Sequence, residues 1–181
     1  MPERKRITAS QLAKRILVPR WIVSLYYYLK DGAKISLRAE VQLSRKLQLG
    51  PGCIVGSFTK IKVGGALRIG ARAGFANGCF VSASPGSIEI GDDFICGPNV
   101  SIVAQNYVYE KVDVPLEEQG KYSLGITIGN NVWVGAGVVI LDGSDVGDNT
   151  IIVANSLVNR RHPPNVILQG QPAKVILKRE K

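Results

Sequence analysis

Aliphatic residues recur along this chain every six positions, and most are followed by glycine or another small residue. The longest run comprises Ile128-Gly129, Val134-Gly135, Ile140-Leu141, Val146-Gly147, Ile152-Val153 and Val158-Asn159. Shorter runs are Leu49-Gly50 with Val55-Gly56, Ile69-Gly70 with Phe75-Ala76 and Val81-Ser82, and Ile90-Gly91 with Cys96-Gly97 and Ile102-Val103. A six-residue period fits neither an α-helix nor one long strand. It predicts short strands separated by sharp turns.

Turn-forming residues fall between the aliphatic positions, where the chain must change direction. Asn and Asp follow glycine in Gly91-Asp92-Asp93, Gly129-Asn130-Asn131 and Gly147-Asp148-Asn149, and both tolerate left-handed backbone angles at low cost. Three six-residue units close one triangular coil, and the pattern predicts roughly five stacked coils between residues 34 and 161. Stacked coils bury a common apolar column, so the expected fold class is an all-β solenoid.

The six-residue period is interrupted over residues 105–125. This insertion is polar and contains Tyr107, Tyr109, Glu117, Glu118 and Tyr122. Insertions into a regular solenoid lie on its outside and often carry function. We therefore expect a solenoid over residues 31–163 with an external loop at 105–125, followed by a C-terminal tail over 164–181.

Residues 1–30 form a separate basic segment. They hold seven Lys or Arg and one Glu, which gives +6 of the chain's net charge of +9. Apolar residues with basic residues between them over positions 7–17 predict a short amphipathic helix, which Pro19 should end or kink. An aromatic cluster follows over residues 21–28.

This basic segment has two compatible roles. A basic amphipathic helix next to aromatic residues is typical of attachment to a membrane surface, and a solenoid also needs a cap over the open end of its column. Nucleic acid is not an expected partner, because no known reading motif accompanies the charge. The longest apolar run is far shorter than the ~20 residues of a spanning helix, and no secretory signal is evident. We expect a cytoplasmic protein, with the inner face of the membrane as its candidate attachment.

Cysteine and histidine offer little chemistry. Cys53, Cys79 and Cys96 lack the CxxC or Cys/His spacing of a zinc site, and their odd number fits no disulfide framework. Packing is their expected role. His162, the single histidine, follows the last repeat and is expected in a surface loop. One histidine cannot form a site of several histidine ligands, so no metal is expected.

Four segments carry a family resemblance beyond the repeats. They are Gly97-Pro98-Asn99-Val100-Ser101-Ile102, Val114-Pro115-Leu116-Glu117-Glu118-Gln119-Gly120, Ile128-Gly129-Asn130-Asn131-Val132-Trp133-Val134-Gly135-Ala136 and Gly170-Gln171-Pro172-Ala173-Lys174-Val175-Ile176. Over roughly residues 45–180 the chain resembles the O-acetyltransferases of bacterial capsule, lipopolysaccharide and exopolysaccharide synthesis, relatives of the maltose, galactoside and serine acetyltransferases. Nucleotidyltransferases and carbonic anhydrases share the repeats, but the unit containing Trp133 and the Pro-Ala-Lys tail favour the acetyltransferases.

The resemblance implies a left-handed β-helix that assembles as a homotrimer. Acetyl-CoA would bind as co-substrate in the groove between neighbouring subunits, and the acceptor would be a sugar or glycan, with lipid-linked glycans as candidates. Trp133 would wall the thioester end, and Ala136 and Ala154 would lie along the pantetheine.

The same resemblance assigns the polar part of the cofactor site. Asn159 and Arg160 occupy positions where the family commonly has Thr-Lys. Lys174 and Lys178 would reach the CoA phosphates, where a cation makes a charge-assisted contact.

The sequence departs from the family at the catalytic position. Gln105 occupies the place of the family's general-base histidine, and a glutamine amide takes up no proton near neutral pH. Glu118 matches a position where the family has an acidic residue, and it is the second candidate base.

Three alternatives therefore stand. The chain could be an acetyltransferase that works without the histidine, which is chemically easier with an amine acceptor. It could be an enzyme in which glutamine has been substituted for the base. It could also be a non-catalytic trimer that binds CoA or a glycan.

Overall fold

The computed structural model describes residues 18–180, which form a triangular solenoid with one β-sheet on each of three faces. The first face contains β1 (Lys34–Ile35), β4 (Ile54–Val55), β7 (Gly74–Phe75), β10 (Ile95–Cys96), β15 (Trp133–Val134), β18 (Ile151–Ile152), β21 (Val166–Gly170) and β22 (Ala173–Lys178). The second contains β2 (Glu40–Val41), β5 (Lys60–Val63), β8 (Phe80–Ala83), β11 (Ser101–Val103), β16 (Val139–Leu141) and β19 (Leu157–Val158). The third contains β3 (Leu47–Leu49), β6 (Leu67–Ile69), β9 (Ile88–Ile90), β14 (Ile126–Ile128), β17 (Asp145–Val146) and β20 (Arg161–His162).

Successive coils build a left-handed parallel β-helix, which confirms the expected fold class. The second and third faces each have six strands, so six coils are complete and β21 begins a seventh. The prediction of roughly five coils was too low. The early coils have longer corners, so their aliphatic residues do not keep the six-residue period by which coils were recognised. Asn77 Oδ1 accepts a hydrogen bond from Ser57 N in the preceding coil, 20 residues earlier, whereas Asn131 Nδ2 donates to Asn149 Oδ1 in the next coil, only 18 residues later. The additional corner residues interrupt the six-residue period without breaking the stack.

The aliphatic positions of the repeat point into the column, as predicted. Each is at most 5% exposed: Leu49, Val55, Ile69, Phe75, Val81, Ile90, Cys96, Ile102, Ile128, Val134, Ile140, Val146, Ile152 and Val158. The three cysteines are also buried, and Cys79 Sγ lies 3.7 Å from Cys96 Sγ. The apolar surface of this continuous column is what holds the coils together.

Glycines after the inward residues stand where the backbones of adjacent coils touch. A Cβ on Gly70 would lie 2.4 Å from the carbonyl carbon of Gly91, and one on Gly129 would lie 2.7 Å from the amide nitrogen of Asp148. Both distances are far inside van der Waals contact. The small residue of the repeat is thus required by coil stacking as well as by the turn.

The helix α1 (Arg20–Asp31) contacts all three strands of the first coil and covers its end of the column. Its buried Tyr27 donates a hydrogen bond to the carbonyl oxygen of Gln42 at 3.2 Å. α1 begins directly after Pro19 and ends at Gly32, whose φ of +66° is left-handed. The helix predicted over 7–17 lies outside the described residues, whereas Pro19 precedes a helix that holds the aromatic cluster. No helix within residues 18–180 has the length and apolarity to cross a bilayer.

Two segments lie outside the regular coils. The external loop contains a hairpin of β12 (Asn106–Tyr107) with β13 (Lys121–Tyr122) and the short helix α2 (Leu116–Gln119). At the C-terminus, β21 pairs in parallel with β18 and antiparallel with β22. The first face therefore continues past residue 163, where the sequence predicted that the solenoid would end.

Candidate active site

Three corners connect the faces of each coil. The first corner joins the first face to the second, the second corner joins the second to the third, and the third corner leads back to the first. Since adjacent parallel strands lie about 4.8 Å apart, residues at one corner of successive coils stack in a row along the solenoid.

Ala136 and Ala154 stack at the first corner, directly after β15 and β18. Asn155 N donates to the carbonyl oxygen of Ala136 at 2.9 Å, which holds the two turns together. Both alanines are exposed, and their own N–H groups donate no hydrogen bond within residues 18–180. The equivalent N–H of Ser57 in the second coil is taken by Asn77 Oδ1 at 2.9 Å. Alanine lacks such an oxygen, so this corner presents two available donors.

The C-terminal strand brings a lysine to the same corner. β22 starts at the first corner, where Lys174 pairs with Gln169, and ends near the third corner, where Lys178 pairs with Val166. Gln171 Nε2 donates to the carbonyl oxygen of Asn155 at 2.6 Å and fastens the start of β22 to the first corner. Lys174 therefore lies at the same corner as the two alanines, whereas Lys178 is at the other end of the strand.

Trp133 lies on the outside of the first face. It begins β15, three residues before Ala136, between Ile95 and Ile151 of the adjacent strands. Its side chain is 57% exposed. A large apolar ring on an outer surface is available to a ligand or to a second subunit.

Gln105 and the pair Asn159 and Arg160 stack along the second corner. Gln105 follows β11, and Asn159 follows β19 two coils later. The separation of the two positions along the stack is thus about 10 Å. Arg160 Nε donates weakly to Asn159 Oδ1 at 3.4 Å, and both side chains are exposed.

Glu118 lies on α2 in the external loop and is exposed. Its neighbour Glu117 accepts a hydrogen bond from Tyr107 Oη at 3.1 Å. The ammonium of Lys121 lies 4.5 Å from the centroid of the Tyr107 ring. A hydrogen bond with the Tyr107 side chain raises the pKa of Lys121. The loop thus has internal structure, and Glu118 is free of side-chain hydrogen bonds within residues 18–180.

Asp142 joins the two ends of the external loop, and it was not among the residues singled out from the sequence. It is 8% exposed at the second corner, beside the position of Gln105. Its carboxylate accepts from Asn106 Nδ2 at 3.0 Å, Ser123 Oγ at 2.5 Å, Leu124 N at 2.7 Å and Gly125 N at 2.9 Å. A charged acceptor with four donors is a strong local anchor. The available signal in the sequence was an acidic residue within the repeat, two positions after the inward Ile140.

The candidate residues separate into two groups. Ala136, Ala154 and Lys174 share the first corner, whereas Gln105 and Arg160 share the second. A strand of the second face lies between the two corners in every coil. One chain therefore carries the two groups on separate edges.

His162 is buried, which contradicts its predicted place in a surface loop. It pairs with Val146 on the third face and is 6% exposed, so it ends the row of inward residues on that face. The spacing from Val158 is shorter than six residues, and the periodic pattern therefore missed it. Its Nε2 is buried without a hydrogen-bond partner among the described residues. Burial and the nearby charge of Arg160 lower the pKa of His162.

We expect His162→Leu to remove part of the acid sensitivity of folding. Because the folded pKa is depressed, the unfolded state takes up the proton first as the pH falls below the ordinary value of 6.5. The free energy of unfolding should then fall by up to about 1.4 kcal/mol per pH unit in the parent and less in the variant. Urea denaturation between pH 5 and 8 (roughly the range in which histidine titrates) measures both slopes. Identical slopes would contradict a buried neutral His162.

Comparison with known proteins shows to which family this chain is similar. The model of the "Bacterial transferase hexapeptide (six repeats)" family matches residues 125–160. Galactoside O-acetyltransferase of Escherichia coli (strain K12) is 43% identical over 91 residues, which are 50% of this chain and 43% of the relative. This chain spans about half the length of the first curated relatives it matches.

Two further comparisons cover more of the chain. Nodulation protein L of Rhizobium meliloti (strain 1021) is 33% identical over 130 residues, 71% of this chain and 68% of the relative. The solved structure of a mutant of AntD, an N-acyltransferase from Bacillus cereus in complex with dTDP and coenzyme A, superposes with a TM-score of 0.73. It is 18% identical and covers 82% of each chain, which shows the shared fold. The fold and these relatives together identify the chain as a member of the bacterial hexapeptide-repeat transferase family.

Proposed function

We propose that this protein transfers an acetyl group from acetyl-CoA to a sugar of a bacterial surface or extracellular polysaccharide. The observation that carries the proposal is the first face, where the two free N–H groups and Lys174 lie at the first corner and Trp133 is exposed on the strand that leads to it. Named activities of relatives, galactoside O-acetyltransferase and N-acyltransferase, point to the same reaction class.

The first corner supplies complementary groups for acetyl-CoA. The pantetheine arm carries amide carbonyls, and the N–H groups of Ala136 and Ala154 are free to donate to them. Small side chains at these positions let the arm approach the backbone. Lys174 attracts the phosphates, and the exposed ring of Trp133 borders the thioester end.

The outer surfaces of the faces support a homotrimer. The third face is charged outward, with ion pairs between Arg68 and Glu89 at 2.9 Å and between Arg161 and Asp145 at 3.2 Å. The outward residues of the later coils on the other two faces are apolar: Ile95, Trp133, Ile151 and Ile167 on the first, and Val103, Val139, Leu141 and Leu157 on the second. A ring of three that buries these apolar surfaces between copies leaves the charged third faces in water.

Such a trimer completes the site. It brings the first corner of one copy towards the second corner of its neighbour, so that acetyl-CoA lies in the groove between them. Gln105 and Arg160 would then approach the ligand from the neighbour. Lys178 lies at the far end of β22, and we assign it no contact in this arrangement.

Chemistry at position 105 favours an amine acceptor. The acceptor atom forms a bond to the acetyl carbonyl carbon, the carbon–sulfur bond breaks, and the CoA sulfur leaves. A sugar hydroxyl needs a base to remove its proton during attack, and Gln105 is no base. A neutral amine attacks unaided and gives its proton to water afterwards. For a hydroxyl acceptor, the exposed carboxylate of Glu118 is the remaining candidate base.

A second candidate function is a non-catalytic trimer that binds CoA or a glycan. Gln105 also favours this function, because a chain that lacks the general base cannot transfer the acetyl group efficiently to hydroxyl acceptors. Acetyl-CoA binding is expected under both functions, and only turnover separates them.

Lys174→Ala should weaken acetyl-CoA binding about tenfold, because it removes a charge-assisted phosphate contact of roughly 1.4 kcal/mol. Lys178→Ala is the matched control: it removes the same charge from the same strand at the far corner. Titration calorimetry gives each Kd, and light scattering on the same samples gives the mass of the assembly. An equal loss in both variants, or a monomer that binds with full affinity, would contradict the proposed groove.

A further inference from the structure

The helix α1 has a second apolar surface opposite the one that packs on the first coil. Its members are between 38% and 75% exposed: Trp21, Ile22, Leu25, Tyr26, Tyr28 and Leu29. We call this set the outer surface of α1. A helix that is apolar on both sides is normally covered on both sides.

Helical spacing makes this surface continuous. At about 100° per residue, Trp21, Leu25 and Tyr28 form one stripe, and the remaining three residues form a stripe beside it. Tyr27 and Ser24 lie on the opposite side, where Ser24 Oγ donates to the carbonyl oxygen of Ile35 at 2.9 Å. The outer surface is thus one broad arc that faces away from the solenoid.

The arc continues into a groove on the solenoid. An open groove of about 630 Å³ separates α1 from the first face, and Leu25, Tyr28, Ile35 and Ile54 contribute to its apolar lining. Lys34 lies at its edge. The apolar surface at this end therefore extends beyond the helix itself.

Positive charge surrounds the outer surface. Lys30 lies beside it on α1, Lys34 lines the adjoining groove, and Arg20 is exposed at the start of the helix. The one acidic residue of α1, Asp31, is bonded to Lys30 at 3.2 Å. Arg20 and Lys34 make no ion pair within residues 18–180. The sequence of residues 1–30 as a whole carries +6.

We propose that the outer surface of α1 docks on the surface of an anionic lipid bilayer. Trp and Tyr prefer the boundary between headgroups and acyl chains, and Leu and Ile enter the acyl region. Each flanking cation strengthens binding to an anionic leaflet about fivefold. Protein interfaces also use Trp and Tyr, so the added positive charge is the feature that favours an anionic lipid surface. α1 would then attach the first-coil end of the solenoid to the bilayer, and the long axis of the solenoid would point away from the lipid.

Vesicle flotation with the full chain tests this proposal. Vesicles of phosphatidylcholine alone are compared with vesicles containing about 30% phosphatidylglycerol, at low and high salt. The variant is Leu29→Glu, which places a negative charge at the centre of the outer surface. Val112→Glu is the matched control, because Val112 is fully exposed in the external loop, far along the chain from α1.

The parent chain and Val112→Glu should float with anionic vesicles, more weakly at high salt, and at least tenfold more weakly with neutral vesicles. Leu29→Glu should lose at least tenfold while acetyl-CoA binding is unchanged, so failure here is separable from failure of the proposed function. Absence of binding by the parent would overturn the proposal. So would a change in oligomeric mass of Leu29→Glu with unchanged flotation, since that outcome assigns the surface to a second copy.

Discussion

Gln105→His should raise the rate of acetyl transfer to sugar hydroxyls by about 10²–10⁴-fold, the usual contribution of a positioned general base. The side chain at 105 leaves β11 at the second corner, beside the external loop. An imidazole there can take the proton of an attacking hydroxyl, which the glutamine amide cannot. Transfer to amines should change little, because a neutral amine needs no base during attack.

Release of the CoA thiol, followed with a panel of sugars and amino sugars, measures this gain. Gln105→Asn is the control, since it changes the side chain but keeps an amide. Acetyl-CoA affinity should be the same in all three proteins. If the histidine and asparagine variants showed equal rates with every hydroxyl acceptor, position 105 would not lie next to the acceptor.

Asp142→Ala should lower the free energy of unfolding by about 3 kcal/mol. The substitution leaves four donors at the base of the external loop without their charged acceptor, and hydrogen bonds to charged groups are each worth roughly 1.5–3 kcal/mol. Some of these donors reach water once the anchor is gone, so the losses do not add in full. The hairpin of β12 and β13 should also become sensitive to limited proteolysis.

Ser123→Ala gives the comparison for Asp142. It removes one donor, leaves the carboxylate with three, and should cost about 1 kcal/mol. Urea denaturation of both variants gives the two values, and proteolysis reports on the loop. Similar losses in the two variants would show that Asp142 is not the anchor of the loop.

The repeat predicted the coils well where corners are short. Between Ile128 and Val158 each inward residue was found by its spacing, since the chain there turns after a constant number of residues. Earlier coils have longer corners, and the backbone N–H of Ser57 donates to Asn77 Oδ1 20 residues later. Periodicity cannot reveal a coil whose corners vary, although the strands stack in the same way.

The local error at His162 has a physical cause. His162 follows Val158 by less than one period, so its inward position depends on strand pairing with Val146, which no local pattern encodes. The helix predicted before Pro19 lies outside the described residues, and the structure shows a helix that starts directly after Pro19. Proline suits the start of a helix and glycine its end, and Pro19 and Gly32 bracket α1 in that order.

The candidate site could be predicted only as far as it follows the repeat. The corner positions of Ala136 and Ala154 are fixed by their places after the inward residues. The anchoring role of Asp142 depends on donors from both ends of an irregular loop, and sequence spacing does not determine where such a loop closes. Lys174 and Lys178 were both candidates for the CoA phosphates, and only the antiparallel pairing of β21 with β22 distinguishes their corners.

Turnover of acetyl-CoA by the unaltered protein shows whether the chain is an acetyltransferase. Thiol release is measured with amino sugars, with the corresponding neutral sugars, and without an acceptor. We predict that the CoA thiol is released only when an amino sugar is present, and that the product is acetylated on nitrogen. Acetyl-CoA binding without release in the presence of any sugar would contradict the enzyme and leave the non-catalytic trimer as the function of this chain.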